Sequence, residues 1–230
     1  MAVNKAFVPV GGIPMVARVL QAVRASGEIA HITVVAPLAA LEDASLVGAD
    51  VRRTSGECIA GSIEHGLEGS DPDGMTLLVT SDAPLISPRN LAEFARTLDA
   101  IDADLVYGIA ERTAHERTYP GVPHTWARMR DGVYCGSAVF GMRPRVLPGL
   151  TRFLEDLAAA RKSPLKLARS FGWDVVLRFA VGLLTIRSAE ARASTLLGHR
   201  VRAVVVTPDL AFNVDRKTDL ALADRYAHGS

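Results

Sequence analysis

Leu77-Leu78-Val79-Thr80-Ser81-Asp82-Ala83-Pro84-Leu85 decides the fold. It opens as a short apolar run, which reads as a buried strand, and stops at an acid. Pro84 has no N–H and cannot continue a strand ladder, so the strand ends before it. In open α/β sheets, ligands bind outside the carboxyl ends of the strands. Asp82 is therefore expected to face a bound ligand.

The rest of the chain supplies a matching framework. His31 to Ala36, Asp104 to Ala110, Val133 to Met142 and Val201 to Thr207 are further apolar strand-like runs, and Ala49 to Arg53 is a shorter one. Between them, Val16, Val19, Leu20 and Val23 recur at helical spacing, as do Ile59, Ile63 and Leu67. Ser87-Pro88 is a cap and first turn for a helix burying Leu91, Phe94, Leu98 and Ile101. Strand and helix alternate, which argues an α/β fold with a doubly wound, mainly parallel sheet. Helices are also predicted near 151–160, from Ser163-Pro164 to Gly172, over Val175 to Leu184, from a Ser188 cap to Leu197, and over Lys217 to Tyr226. Residues 111–132 are polar and turn-rich and read as a long insertion, a kind of segment that tends to be functional. The expectation is one domain over residues 1–230, with residues 111–200 carrying the insert and its helices.

Bulk properties exclude several classes. The 230 residues are 49% hydrophobic and 22% charged with a formal net charge of +1, so no polyanion-binding bias points to nucleic acid. Cys58 and Cys135 form no C-x-x-C pattern, which fits a reduced cytoplasmic setting and suggests no zinc site. The amino terminus lacks the apolar core of a signal peptide. The most apolar segment, Val175 to Ile186, is interrupted by Arg178 and Gly182 and falls short of the ~20 residues a bilayer requires. A dinucleotide oxidoreductase would show G-x-G-x-x-G after its first strand, and none is present.

Three segments then carry a family resemblance. Asn4-Lys5-Ala6-Phe7-Val8-Pro9-Val10-Gly11-Gly12-Ile13-Pro14-Met15 resembles the "PK-x-L-x-P-x-x-G-x-P-M" segment of MobA-like nucleotidyltransferases. Leu78 to Leu85 resembles their metal-binding strand end. Phe212-Asn213-Val214-Asp215, with Thr218-Asp219-Leu220 behind it, resembles their closing "F-N-x-N-T-P-E-D-L" motif. The three stand in the family's order and span nearly the whole chain.

The resemblance implies a Rossmann-like fold of the nucleotide-diphospho-sugar transferase, or GT-A, type. It also implies transfer of a nucleoside monophosphate from an NTP to a phosphorylated acceptor, with release of pyrophosphate. Such transfers depend on charge neutralisation and positioning. Asp82 and Asp215 would hold Mg²⁺, with Asn213 beside them, although Asp215 could equally be an ordinary helix N-cap. Lys5 would contact the triphosphate. Ser62 and Gly66, in "G-S-x-x-x-G-L", would lie beside the nucleobase, packing of small residues being the competing reading. Acceptor contacts are sought at Arg112, Tyr119, His124, Arg128, Arg130, Arg161, Lys162 and Lys166, and along Gly136-Ser137.

The sequence also departs from the family. The family pattern opens with a strand and a glycine-rich loop, "L-A-G-G-x-G-x-R-M", before its lysine, whereas this sequence begins at the lysine segment. A downstream start or a fragment is favoured over lost catalysis. Without the strand beneath that loop, its neighbouring strands would keep unpaired backbone groups. Asp215, Arg216 and Lys217 stand where the family prefers Asn, Thr and Pro. The competing function is a nucleotide- or sugar-phosphate-binding module without turnover.

Overall fold

A computed structural model describes residues 4–160 and 172–228. The Leu77–Val79 run lies in β5 (Thr76–Val79). Its side chains alternate as a strand requires. Leu77 and Val79 pack with α1 (Met15–Ala25) and α3 (Pro88–Ala100), whereas Leu78 packs with Leu67, Met142 and Val146 on the other face. Helices therefore cover both faces, which is why the run is continuously apolar instead of alternating.

The chain is a mixed α/β fold with a mainly parallel central sheet. Its larger sheet is ordered β5-β8-β6-β9, with β6 being Leu105–Glu111, β8 Gly132–Met142 and β9 Val201–Val205. A further strand, β7 (Ala127–Met129), pairs with β8. β8 is antiparallel to β5, β6 and β7, and β9 is parallel to β6, so β8 alone runs against the rest. A separate parallel pair joins β3 (Thr33–Ala36) to β4 (Val51–Thr54). Among the described residues β3 pairs only with β4, and β5 only with β8. Each keeps one unpaired edge, and every residue of β5 is only half-buried.

The amphipathic predictions translate directly into core. Val16, Val19, Leu20 and Val23 of α1 and Leu91, Phe94 and Leu98 of α3 are all buried. Ser87 caps α3 by accepting the Asn90 N–H at 3.2 Å, with Pro88 in the first turn. Gly11-Gly12, both with positive φ, turn a small hairpin of β1 (Pro9–Val10) and β2 (Ile13–Pro14). The second helix, α2, covers Ile59–Leu67, and a closing helix, α8, covers Lys217–Ala227.

Several elements differ from the sequence reading. Residues 111–132 are not a loop throughout: they form α4 (Arg112–Thr118) and β7. An Arg112–Glu116 pair at 2.6 Å supports α4, and its His115 is fully buried, so a polar-looking segment has an inner face. After α5 (Leu147–Ala160), α6 covers Trp173–Ala180 and α7 covers Ile186–Leu197. Thr185, not Ser188, caps α7, accepting the Ser188 N–H at 3.1 Å. The helix predicted from Ser163-Pro164, with Arg161, Lys162 and Lys166, lies outside the described residues.

Candidate active site

Three distant segments meet at the end of β5. The first is a 3-10 turn, Lys5–Phe7, whose Ala6 is buried and whose start is capped by the Asn4 side chain. That anchor aims the Lys5 side chain outward. The second is the strand end, where Asp82 follows β5. The third is the closing motif, tied to the strand end by a hydrogen bond from the Val214 N–H to the Asp82 carbonyl at 2.9 Å.

The closing motif is fixed from both sides. Phe212 is fully buried, with edge-to-face ring contacts to Tyr119 at 5.0 Å and Tyr226 at 6.2 Å. Asp219, 3% exposed, accepts the N–H groups of Asp215 at 3.1 Å and Arg216 at 2.8 Å. The capping work at α8 is thus done by Asp219. The Asp215 carboxylate is left to project into the site.

There it meets Lys5. The Lys5 ammonium lies 2.6 Å from Asp82 Oδ2 and 3.0 Å from Asp215 Oδ1. Burial works to lower the Lys5 pKa, but hydrogen bonds and charge from both aspartates outweigh it and hold it above its ordinary value. Around this cluster three polar atoms are buried without a hydrogen-bond partner: Asp82 Oδ1, Thr80 Oγ1 and Asn213 Oδ1. Orphaned buried polar atoms are costly, and their concentration at one strand end marks a place a ligand would satisfy. Among the described residues no group of three or more His, Cys, Asp or Glu side chains could hold a metal ion. The donors here are all oxygens, and two carboxylates completed by phosphates and water suit Mg²⁺.

A second polar cluster flanks the first. His115 of α4 has neither ring nitrogen hydrogen-bonded, and its ring stands edge-on to His124 at 4.2 Å and to Trp126 at 5.8 Å. Burial pushes the His115 pKa down to about 4, with His124 adding to the effect. Burial lowers His124 as well, against the pull of Asp219 and Asp215. Both rings are therefore held neutral beside the closing motif.

The remaining candidates do not converge. Arg112 is engaged by Glu116 and lies 5.8 Å over the Trp126 ring. Tyr119 is half-buried against Phe212, and burial raises its phenol pKa. Its ring and the Pro84-Leu85 turn share the wall of a cavity of about 530 Å³ with Arg18, Asn90 and Asp209. Ser62 spends its hydroxyl at the start of its own helix, donating to the Cys58 carbonyl and accepting the Gly56 N–H. A Cβ on Gly66 would stand 3.0 Å from Val35 Cγ2, so this glycine packs α2 against β3. Gly136 lines a different cavity, and the Ser137 hydroxyl turns into the sheet to bond the Val139 backbone. The sequence reading gave no role to Thr80, His115 or Asp219. Thr80 was open to detection, because it directly follows the apolar run that leads to Asp82.

A family model for the MobA-like NTP transferase domain matches residues 1–170. The chain belongs to the MobA-like NTP transferase family. Solved relatives agree. A hypothetical transferase from Thermus thermophilus superposes with a TM-score of 0.81 at 31% identity, over 94% of this chain and 90% of that one. A 4-diphosphocytidyl-2C-methyl-D-erythritol synthase from Anaerococcus prevotii gives 0.60 at 14% identity, over 97% and 93%. A 2-C-methyl-D-erythritol 4-phosphate cytidylyltransferase from Thermus thermophilus gives 0.57 at 22% identity, over 97% and 94%. The last two share the fold. No curated protein sequence matches the chain significantly. This MobA-like chain is a nucleotidyltransferase in general class, and among its described residues no helix is long and apolar enough to cross a membrane.

Proposed function

We propose that the chain, acting as one domain in the cytoplasm, transfers a nucleoside monophosphate from an NTP to a phosphorylated small-molecule acceptor, releasing pyrophosphate. The observation that carries this reading is the Lys5 ammonium shared between Asp82 and Asp215, beside the orphaned Asp82 Oδ1. In the reaction an acceptor phosphate oxygen attacks the α-phosphorus in line, and the bond to the pyrophosphate oxygen breaks.

Each residue has a task suited to its chemistry. Asp82 and Asp215 would hold Mg²⁺, which when bound supplies charge neutralisation at the phosphates. Lys5 already bridges the two carboxylates and can swing its flexible point charge onto the triphosphate once a ligand enters. Its raised pKa keeps it protonated for that purpose. Asp219 positions Asp215 through the backbone. Ser62 and Gly66 remain proposed nucleobase-side elements, and Arg112, Tyr119, Gly136, Ser137 and Lys162 proposed acceptor-side ones.

The test is pyrophosphate release with the four common NTPs and Mg²⁺ over a panel of phosphorylated acceptors. Turnover that survives Asp82→Ala sinks the metal assignment. A second reading is a nucleotide- or sugar-phosphate-binding module without turnover. Calorimetric binding of an NTP with no product formed would favour it.

A further inference from the structure

One face of the sheet carries a cavity of which the proposed site uses only Gly136. Val201 and Ala203 of β9, Tyr107 and Ile109 of β6, Gly136 of β8 and Ala127 of β7 all line it, and together they are the side chains of one sheet face. Its lid is α7, which presents Ile186, Ala189, Glu190 and Ala193 at the spacing of a single helix face. The cavity measures about 280 Å³.

The sequence builds this space. Where helix meets sheet, leucine-sized residues usually fill the gap, but here Ala189 and Ala193 face Ala203, Ala127 and Gly136. A Cβ on Gly136 would collide with Tyr107 Oη, so glycine is what lets the tyrosine ring lean across. Tyr107 is 45% exposed, and Val205, next along the same face, is 58% exposed. Glu190 is already engaged, its Oε1 accepting the Ala203 N–H at 2.7 Å. What remains is a mainly apolar slot, with Thr125 and Arg202 also on its wall, and the Tyr107 hydroxyl has no hydrogen-bond partner among the described residues. That is the make-up of a small-molecule site, and the volume is near the lower end for one, roughly 300 Å³.

Its position ties it to the reaction. The Thr80 N–H bonds the Ala138 carbonyl at 2.9 Å, so β8 continues alongside the strand end. Gly136 lies two residues along β8 from that contact, roughly 7 Å of extended backbone, and Asp82 lies two residues past Thr80, in the turn that follows β5.

We propose that this cavity takes an apolar ring carried by the acceptor, so that the acceptor is a phosphate attached to a one- or two-ring group and not a bare sugar phosphate. The inference rests on the transfer reading above and assigns that reading's acceptor class. The test uses 1-naphthyl phosphate and 2-glycerophosphate as probes, titrated calorimetrically into the full chain with Mg²⁺. The naphthyl compound is expected to bind at least ten-fold more tightly. Ala193→Phe, which fills the slot, is expected to erase that preference, while thermal unfolding confirms that the variant folds. Ala189→Leu does the same from the neighbouring helical turn. With Mn²⁺ in place of Mg²⁺, the ³¹P line of bound 1-naphthyl phosphate is expected to broaden, because its phosphate reaches the Asp82 end.

Equal binding of the two phosphates, or a preference unaffected by both fillings, overturns the proposal. So does a dimer that Ala193→Phe dissociates, which would make the slot a contact between copies. An NTP titration on the same protein separates the two readings: failure there defeats the transfer reading, whereas failure of the naphthyl preference alone defeats only the acceptor class.

Discussion

The Lys5 ammonium lies 2.6 Å from Asp82 Oδ2, joining the first turn of the chain to the end of β5. The same nitrogen is 3.0 Å from Asp215. A cation between two carboxylates occupies the kind of place a metal ion would take, so under the proposed function Lys5 and Mg²⁺ would contend for one pair of ligands until a triphosphate offered the ammonium other partners. Lys5→Met keeps the length of the stem and removes the charge. It is expected to lower turnover on the order of 10²- to 10³-fold, as loss of one preorganised donor does. Its Mg²⁺ affinity in the absence of nucleotide should rise, which a calorimetric titration measures. An unchanged turnover would show that Lys5 serves only to quiet the two carboxylates.

Asp82→Asn tests the other partner. The amide keeps the shape but loses the charge, so the ion pair with Lys5 is gone and the hold on a hard cation is weakened. Turnover is expected to fall at least as far as in Lys5→Met. Because the two side chains touch, the double variant should lose much less than the product of the single losses. Fully multiplicative losses in the pyrophosphate assay would mean that they act independently.

How much of this could be read beforehand depends on whether the signal is local. The α3 helix was legible because Ser87-Pro88 and the spacing of Leu91, Phe94 and Leu98 are local patterns, and local patterns set where an amphipathic helix starts and what it buries. Lys5, Asp82 and Asp215 were found through motif order, and the geometry brings them into contact. The faces of Gly136 and Ser137 were not legible. Adjacent strand residues point opposite ways, and which way follows from a register that shifts between Tyr107 and Ile109. The inner side of α4 was missed for a different reason. In Arg112–Thr118 the buried residue is His115, so no apolar periodicity announced it.

His115 gives the fold an acid sensitivity with a definite sign. Its pKa is about 4 in the folded chain against an ordinary 6.5, so below pH 6.5 the unfolded chain takes up a proton that the native one refuses. The stability it contributes is present above pH 6.5 and is lost as pH falls toward 4, by roughly 3 kcal/mol in total. The groups around it are His124, itself held neutral, and Glu116, which favours the charged form. His115→Phe keeps an aromatic ring and removes the titration. Urea unfolding at pH 7.5, 6, 5 and 4 should show the variant gaining on the wild type at each step downward. A constant difference across that range would mean that His115 does not titrate as its burial demands.

Phe212 gives a stability test at the root of the closing motif. It is fully buried and meets Tyr119 edge-on at 5.0 Å. Phe212→Ala is expected to cost about 3–5 kcal/mol in chemical denaturation, from lost burial and the cavity left behind. Phe212→Leu should recover more than half of that, since much of the volume returns. A loss below about 1 kcal/mol for the alanine variant would show that the motif collapses onto the gap without penalty.

Asp219 separates capping from catalysis. It is buried, and its Oδ2 accepts both the Asp215 and Arg216 N–H groups, so it holds the carboxylate-bearing turn without reaching the site itself. Asp219→Ala removes both bonds and is expected to cost about 1–2 kcal/mol of stability as a lost helix cap. Turnover should fall further than that stability loss explains, because Asp215 is released from its place beside Lys5. Asp219→Asn retains an oxygen acceptor at the same position. It should restore most of the stability and most of the rate, which a purely electrostatic role for Asp219 would not allow. Melting curves and pyrophosphate release measured on the two variants decide it. A stable Asp219→Ala chain with full turnover would show that Asp215 is positioned by Lys5 alone.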